Sequence, residues 1–82
     1  MSTVRYFAAA KAAAGVGEEQ VEAATLAEAL AEVRDRHGDR LARVLTACSF
    51  VVDEAPVGSR DHADVLLGPD TVVDCLPPFA GG

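Results

Sequence analysis

The stretch from residue 25 to residue 38 constrains the fold most. Thr25-Leu26-Ala27-Glu28 is a capping box, in which the threonine hydroxyl accepts from the Glu28 backbone N–H while the Glu28 carboxylate reaches back to the cap. Leu26, Ala29, Leu30, Val33 and His37 follow at helical spacing, and Gly38 supplies the stop. Such a helix has one apolar stripe to bury, with Glu28, Glu32, Arg34, Asp35 and Arg36 mostly left to solvent. The rest of the chain therefore has to build the surface that the stripe lies on.

Strand patterning supplies that surface. Thr3, Arg5 and Phe7 alternate with Val4, Tyr6 and Ala8, which predicts a strand reaching about residue 8. Arg5 interrupts an apolar face there unless it lies near an edge or uses only its stem. Residues 9–14 are nearly pure alanine, a short helical passage ended by Gly15 and Gly17, after which residues 19–23 return as a second strand in a hairpin-like pair. Leu41, Val44, Leu45 and Cys48 repeat the helical spacing for about two turns. Residues 49–52 read as a strand, Asp53-Glu54 as a turn, and residues 55–57 as a short strand that Pro56 confines to an edge. A polar connection (58–64) and a Gly68-Pro69-Asp70 turn lead to the last strand, residues 71–76. In that strand Thr71, Val73 and Cys75 share one face and Val72, Asp74 and Leu76 the other. This order is that of an α+β, ubiquitin-like β-grasp: residues 1–76 form a mixed sheet wrapping one main helix, and residues 77–82 form an extended tail.

Composition narrows the function. The 82 residues make one small domain with little interior volume for a dinucleotide or large substrate. The chain is 50% apolar and 24% charged, enough to bury a core. Seven basic residues stand against thirteen acidic ones, a net charge of −6 with neutral histidines. That field repels phosphate backbones, and no basic stretch interleaved with aromatics offsets it, so nucleic acid is disfavoured. A partner with a basic cleft suits it better, with Asp74 and Glu54 the first acids to consider, although surplus acid also serves solubility alone. Arg5 and Lys11 interrupt the opening apolar stretch and no 18-residue apolar run exists, so a cytoplasmic protein off the membrane is expected. Cys48 and Cys75 have no paired spacing and read as buried free thiols. His37 on the helix and His62 in a loop read as structural or solvent-facing, and neither a catalytic triad nor a metal cluster is legible.

The chemistry concentrates at the end. Pro77 and Pro78 remove consecutive ladder donors and stiffen the exit of the last strand. Phe79 is a single large apolar anchor, Ala80 follows, and Gly81 and Gly82 lack the Cβ atoms that would collide in a narrow tunnel. Terminal glycines alone read first as frayed chain; the combination with Pro-Pro and Phe does not.

Val4-Arg5-Tyr6-Phe7-Ala8, the capped helix from Leu26, the turn at Asp53-Glu54 and above all Leu76-Pro77-Pro78-Phe79-Ala80-Gly81-Gly82 resemble the small sulfur-carrier subunit of molybdopterin synthase, within the ubiquitin-like carriers. The resemblance implies that the carboxyl of Gly82 is adenylated by an ATP-dependent, ubiquitin-activating-type adenylyltransferase and converted to a thiocarboxylate, with a sulfurtransferase acting indirectly. It implies that Pro77, Pro78, Phe79, Ala80 and Gly81 enter the large synthase subunit, where sulfur passes to a cyclic pterin precursor. Val72, Asp74, Leu76 and Phe79 are the expected partner contacts. The chain itself would be no enzyme: it would bind no cofactor stably, ATP being used by the activating partner, and hold no metal. Two alternatives stay open: a carrier of the same fold serving thiamine, cysteine or tRNA sulfur chemistry, and a regulatory or structural binding domain.

Overall fold

Each end of the sequence supplies a strand to the centre of one sheet. The computed structural model describes residues 1–78. Strand β1 (Ser2–Tyr6) runs parallel to β5 (Val72–Leu76), with Thr3 opposite Val72 and Tyr6 opposite Cys75. On its other side β1 pairs antiparallel with β2 (Glu18–Val21). Strand β3 (Ser49–Val52) pairs antiparallel with β5 and with the two-residue β4 (Ala55–Pro56). The resulting order, β2-β1-β5-β3-β4, is the expected mixed β-grasp sheet. Pro56 sits in an edge strand, where its missing N–H leaves no ladder bond unmade.

Helix α1 (Ala9–Ala14), α2 (Leu26–His37) and α3 (Asp39–Ala47) bury Ala10, Ala14, Leu26, Ala29, Leu30, Val33, Leu41 and Leu45 in one cluster with Val4, Tyr6, Val21, Phe50, Val73 and Cys75. The wrapped helix is thus α2 with two shorter companions. Its capping box forms: Thr25 Oγ1 accepts from the Glu28 N–H at 3.2 Å, and the hydroxyl donates to Glu28 Oε2 at 3.1 Å.

Several boundaries differ from the sequence reading for local reasons. Strand β1 ends at Tyr6 rather than near residue 8, because Phe7 O accepts from Ala10 N–H at 3.0 Å and turns the chain into α1. Ala8 sits at the corner with φ 50° and ψ −123°, a region that favours glycine. Strand β2 stops at Val21 rather than Ala23, and Ala24 O instead accepts from Leu67 N–H at 2.9 Å. The connection at 58–64 contains a single 3-10 turn at His62–Asp64. Asp53 and Glu54 form the expected turn, both with positive φ (47° and 71°), which matches the twist of the strands they join.

The C-terminal end of α2 is tied to β2 by charge. Glu19 Oε2 accepts from the Tyr6 hydroxyl at 2.5 Å and from His37 Nε2, while Glu19 Oε1 accepts from Arg36 Nη1 at 2.6 Å. Arg36 also donates to Glu32 and to Gln20 O. His37, read from sequence as a member of the apolar stripe, is half-buried and packs edge-on to Tyr6 with ring centroids 6.2 Å apart. Burial raises the Glu19 pKa, but the hydrogen bonds from Tyr6, Arg36 and His37 outweigh it, so the carboxyl lies below its ordinary range.

Two outcomes follow from this packing. Leu30 is 3% exposed, so Leu30→Ala should cost about 2–5 kcal/mol in denaturant unfolding; a loss under about 1 kcal/mol would mean that the site is not packed as described. Glu19 is depressed in the folded state, so its contribution is present above the unfolded glutamate pKa of about 4.3 and is lost as pH falls through the lower folded value. Glu19→Gln should flatten the acid limb of stability in urea titrations at stepped pH, whereas an unchanged limb would remove Glu19 from the acid response.

Candidate functional site

Because three helices cover one sheet face, the alternation of β5 leaves Val72, Asp74 and Leu76 on the other. Val72 and Asp74 are half-buried and Leu76 is exposed, as the parity of the strand dictates. The open face is not simply acidic. Arg5 lies opposite Asp74 in the β1–β5 register and holds it bidentately, Nε to Oδ1 at 2.6 Å and Nη2 to Oδ2 at 2.9 Å. That hydrogen bond, and then the charge of Asp74, raise the pKa of the exposed Arg5 guanidinium above its ordinary value. The Arg5 guanidinium carbon also stands 5.8 Å from the centroid of the Phe7 ring.

Sequence parity puts opposite charges on outward positions of β1 and β5, but only the β1–β5 pairing brings them together. Arg5 is neither near an edge nor buried along its stem. It faces outward from an inner strand, and its charge is answered across the ladder. Asp74 is therefore a compensated acid, while Glu54 lies at the rim of a shallow depression with Asp53 and Val72. Asp53 is held there by two 2.9 Å bonds to the Val72 backbone, its N–H donating to Val72 O and its Oδ1 accepting from Val72 N–H.

Strand β5 is flanked on both sides, so the chain that follows Leu76 leaves from the interior of the sheet rather than from a fraying edge. Pro77 is half-buried and Pro78 exposed. Where they leave, Phe7, Ala8, Ala47, Ser49, Leu76, Pro77 and Pro78 wall a mainly apolar groove of about 470 Å³. The sequence reading missed this groove because its walls come from four separate segments. The proposed reactive and tunnel residues Phe79, Ala80, Gly81 and Gly82 lie outside the described residues.

Nothing else among the described residues offers comparable chemistry. Cys75 is fully buried, and burial first, then the neighbouring Cys48 and Asp74, push its thiol pKa up to about 12. Cys48 is half-buried, donates to Val44 O at 3.3 Å and is also raised by desolvation. A thiol so raised is a poor nucleophile near neutral pH. His62 packs edge-on to Phe50 at 5.2 Å between ring centroids. Among the described residues, no three His, Cys, Asp or Glu side chains form a group able to hold a metal ion, and no helix is long and apolar enough to cross a membrane.

The fold has close relatives in shape. The small archaeal modifier protein 1 of Methanosarcina acetivorans matches with a TM-score of 0.85 at 19% identity, over 99% of this chain and 95% of that one. A chain of the complex of subunits 1 and 2 of the molybdopterin-converting factor from Helicobacter pylori matches at 0.72 and 23% identity, over 99% and 97%. A chain of the BexX/CysO complex of Amycolatopsis orientalis matches at 0.79 and 20% identity, over the full length of both. No curated protein matches in sequence. The model of the ThiS family matches residues 4–82, nearly the whole chain. The chain therefore belongs to the ThiS family, a group of small ubiquitin-like sulfur-carrier proteins.

Proposed function

We propose that the chain carries sulfur as a thiocarboxylate on the main-chain carboxyl of Gly82. The observation that carries this reading is the exit of the chain from an inner strand through Pro77-Pro78, the residues that precede Phe79-Ala80-Gly81-Gly82 in the sequence. The raised pKa values of both thiols support it, because they leave the side-chain sulfurs poorly suited to carriage.

A carboxylate resists attack, since its resonance and charge oppose a nucleophile, so activation has to come first. The Gly82 carboxylate attacks the α-phosphorus of ATP and displaces pyrophosphate, giving an acyl adenylate. A persulfide on the sulfur donor then attacks the acyl carbon and expels AMP, giving an acyl disulfide, and a second thiol attacks the donor sulfur of that disulfide, forming a disulfide with the donor and releasing the thiocarboxylate; sulfide in place of the persulfide gives the thiocarboxylate directly. ATP binding and acid–base catalysis belong to an adenylyltransferase of the ubiquitin-activating type, and a sulfurtransferase supplies the sulfur. This chain contributes the acyl end and the surface that presents it, as a carrier rather than a catalyst. Val72, Asp74, Leu76 and Phe79 form the docking surface in this reading.

For the acceptor, the ending Leu76-Pro77-Pro78-Phe79-Ala80-Gly81-Gly82 supports a cyclic pterin precursor bound by the large subunit of a molybdopterin synthase. The solved complex of the two molybdopterin-converting factor subunits from H. pylori shares the fold, which adds modest weight. The family match weighs more for the broader alternative, a carrier delivering sulfur to thiamine, cysteine or tRNA chemistry, and the fold shared with the BexX/CysO complex agrees with it.

Incubation with ATP, activating enzyme and sulfur donor should raise the intact mass by the difference between one sulfur and one oxygen. Deleting Gly82 shortens the reach by about 3.5 Å and should abolish that gain with the fold intact, as should adding one residue after it. A competent chain ending at Gly81 would contradict the assignment. The charged carrier, offered separately to pterin, thiamine, cysteine and tRNA acceptor systems, should restore one of them, and that one names the pathway. Phe79→Ala should weaken binding to the activating enzyme by about 1–4 kcal/mol in calorimetry; unchanged affinity would remove Phe79 as an anchor.

A further inference from the structure

Cationic charge is gathered in one place on this chain. Residues 34–43 hold four of its seven basic residues and two of its thirteen acids, so the segment carries +2 within a chain of −6. Arg36 is spent on Glu19 and Glu32, as Arg5 is on Asp74. Arg34, in the last turn of α2, is exposed and has no carboxylate within salt-bridge distance among the described residues. The helix dipole favours a cation at that position but does not account for what surrounds it.

Arg34 walls a cleft of about 280 Å³ between α2, α3, the start of β3 and the 3-10 turn at His62–Asp64. Leu30, Leu45 and Phe50 make its apolar side. Thr46 and Cys48 also line it, but each has committed its hydrogen, to Arg43 O at 2.6 Å and to Val44 O at 3.3 Å. The parity that buries Phe50 turns the Ser49 side chain toward the open sheet face. The side chains left with hydrogens to donate are the Arg34 guanidinium on one wall and the His62 imidazole on another, the latter packed edge-on to Phe50. No acid lines this cleft, whereas Asp53, Glu54 and Asp74 share the depression that holds Arg5, and Glu18 lines the neighbouring one.

We propose that this cleft binds a small organic monocarboxylate, its carboxylate held by Arg34 and His62 and its apolar body laid on Leu30, Leu45 and Phe50. A guanidinium fork matches a planar carboxylate with two parallel hydrogen bonds, and the imidazole N–H adds a third donor from a different element. One arginine in an acidic chain answers a charge of −1 better than the two charges of a phosphate monoester, and the apolar side asks for an organic body rather than an inorganic ion. The volume lies just under the roughly 300 Å³ at which ligand clefts begin, so that body is a single ring or a short branched chain. This inference goes beyond sulfur carriage and can fail without affecting it.

The test is a titration of the full-length, 15N-labelled chain followed by NMR, with benzoate as the probe, benzamide as its uncharged counterpart and inorganic phosphate as a bare anion. Benzoate should displace the Arg34 Nε–H resonance and the amides of Cys48, Gly58 and His62 along one saturating curve, with a Kd on the order of millimolar. Benzamide and phosphate should leave them nearly in place. Arg34→Gln should weaken benzoate binding about tenfold and His62→Gln about threefold, whereas Arg43→Gln, which removes the same charge outside the cleft, should leave it unchanged. Equal displacement by benzamide or by phosphate would overturn the proposal, as would displacement that grows linearly without saturating or that maps to Phe7 and Leu76 instead. An Arg43→Gln loss equal to that of Arg34→Gln would overturn it too, since the general field rather than the cleft would then hold the acid. Should Arg34→Gln disturb the core resonances of Leu26 and Val33, the wild-type comparison of benzoate with benzamide decides alone.

Discussion

The parallel pairing of β1 with β5 is the contact on which the rest depends. It joins residues about seventy positions apart in sequence, so the loop closed by this ladder contains every other element of the fold. Once Val4 lies beside Val73 and Tyr6 beside Cys75, the pleat sends Val4, Tyr6, Val73 and Cys75 to the helices and Arg5, Asp74 and Leu76 to solvent. A slip of one residue would exchange these faces, burying Arg5 and exposing Val4. The Arg5–Asp74 fork adds a polar marker of the same register on the solvent side, where its value lies in specificity of pairing more than in stability.

The same pairing sets the geometry of the exit. A terminal strand at an edge would fray together with whatever followed it. Here β5 is held by β1 on one side and β3 on the other, and the loop before it is secured in turn: Ser2 Oγ donates to Gly68 O at 2.9 Å, and Gly68 N–H donates to Thr71 Oγ1 at 2.8 Å. Under the proposed function such a base serves delivery of the chain's end, because placement errors of an ångström are costly at a reacting centre. The clasp around Glu19 works at a distance from the exit, fixing α2 to β2 so that the helical layer and the sheet hold one relative position.

Most of the architecture was legible because local chemistry and global fold agree. Thr25 and Glu28 announced α2, Asp53-Glu54 announced the β3–β4 turn, and Pro56 announced an edge. What sequence could not give was anything made by residues distant along the chain. His37 follows the apolar spacing of α2, yet its role comes from Glu19 on another element. Arg5 looked like an interruption until Asp74 was placed beside it. The end of β1 was misplaced because alternation continues through Phe7 and Ala8, while the backbone turns there on a conformation that nothing in the identity of alanine foretells. The groove is illegible for the same reason, being assembled from the corner between β1 and α1, the end of α3, the start of β3 and the end of β5 with its prolines. Motifs confined to a few successive residues read out directly, and sites built by tertiary packing do not.

The central claim is that this chain transfers sulfur through its main-chain end and not through its cysteines. The most direct measurement is activation with an isotopically labelled sulfur donor, followed by fragmentation of the intact chain to place the label. The account predicts label only in fragments that contain Gly82, in the wild type and equally in a variant with Cys48 and Cys75 replaced by serine. Label on a fragment ending before Gly82, or its loss in the double-serine variant while the fold persists, would contradict it.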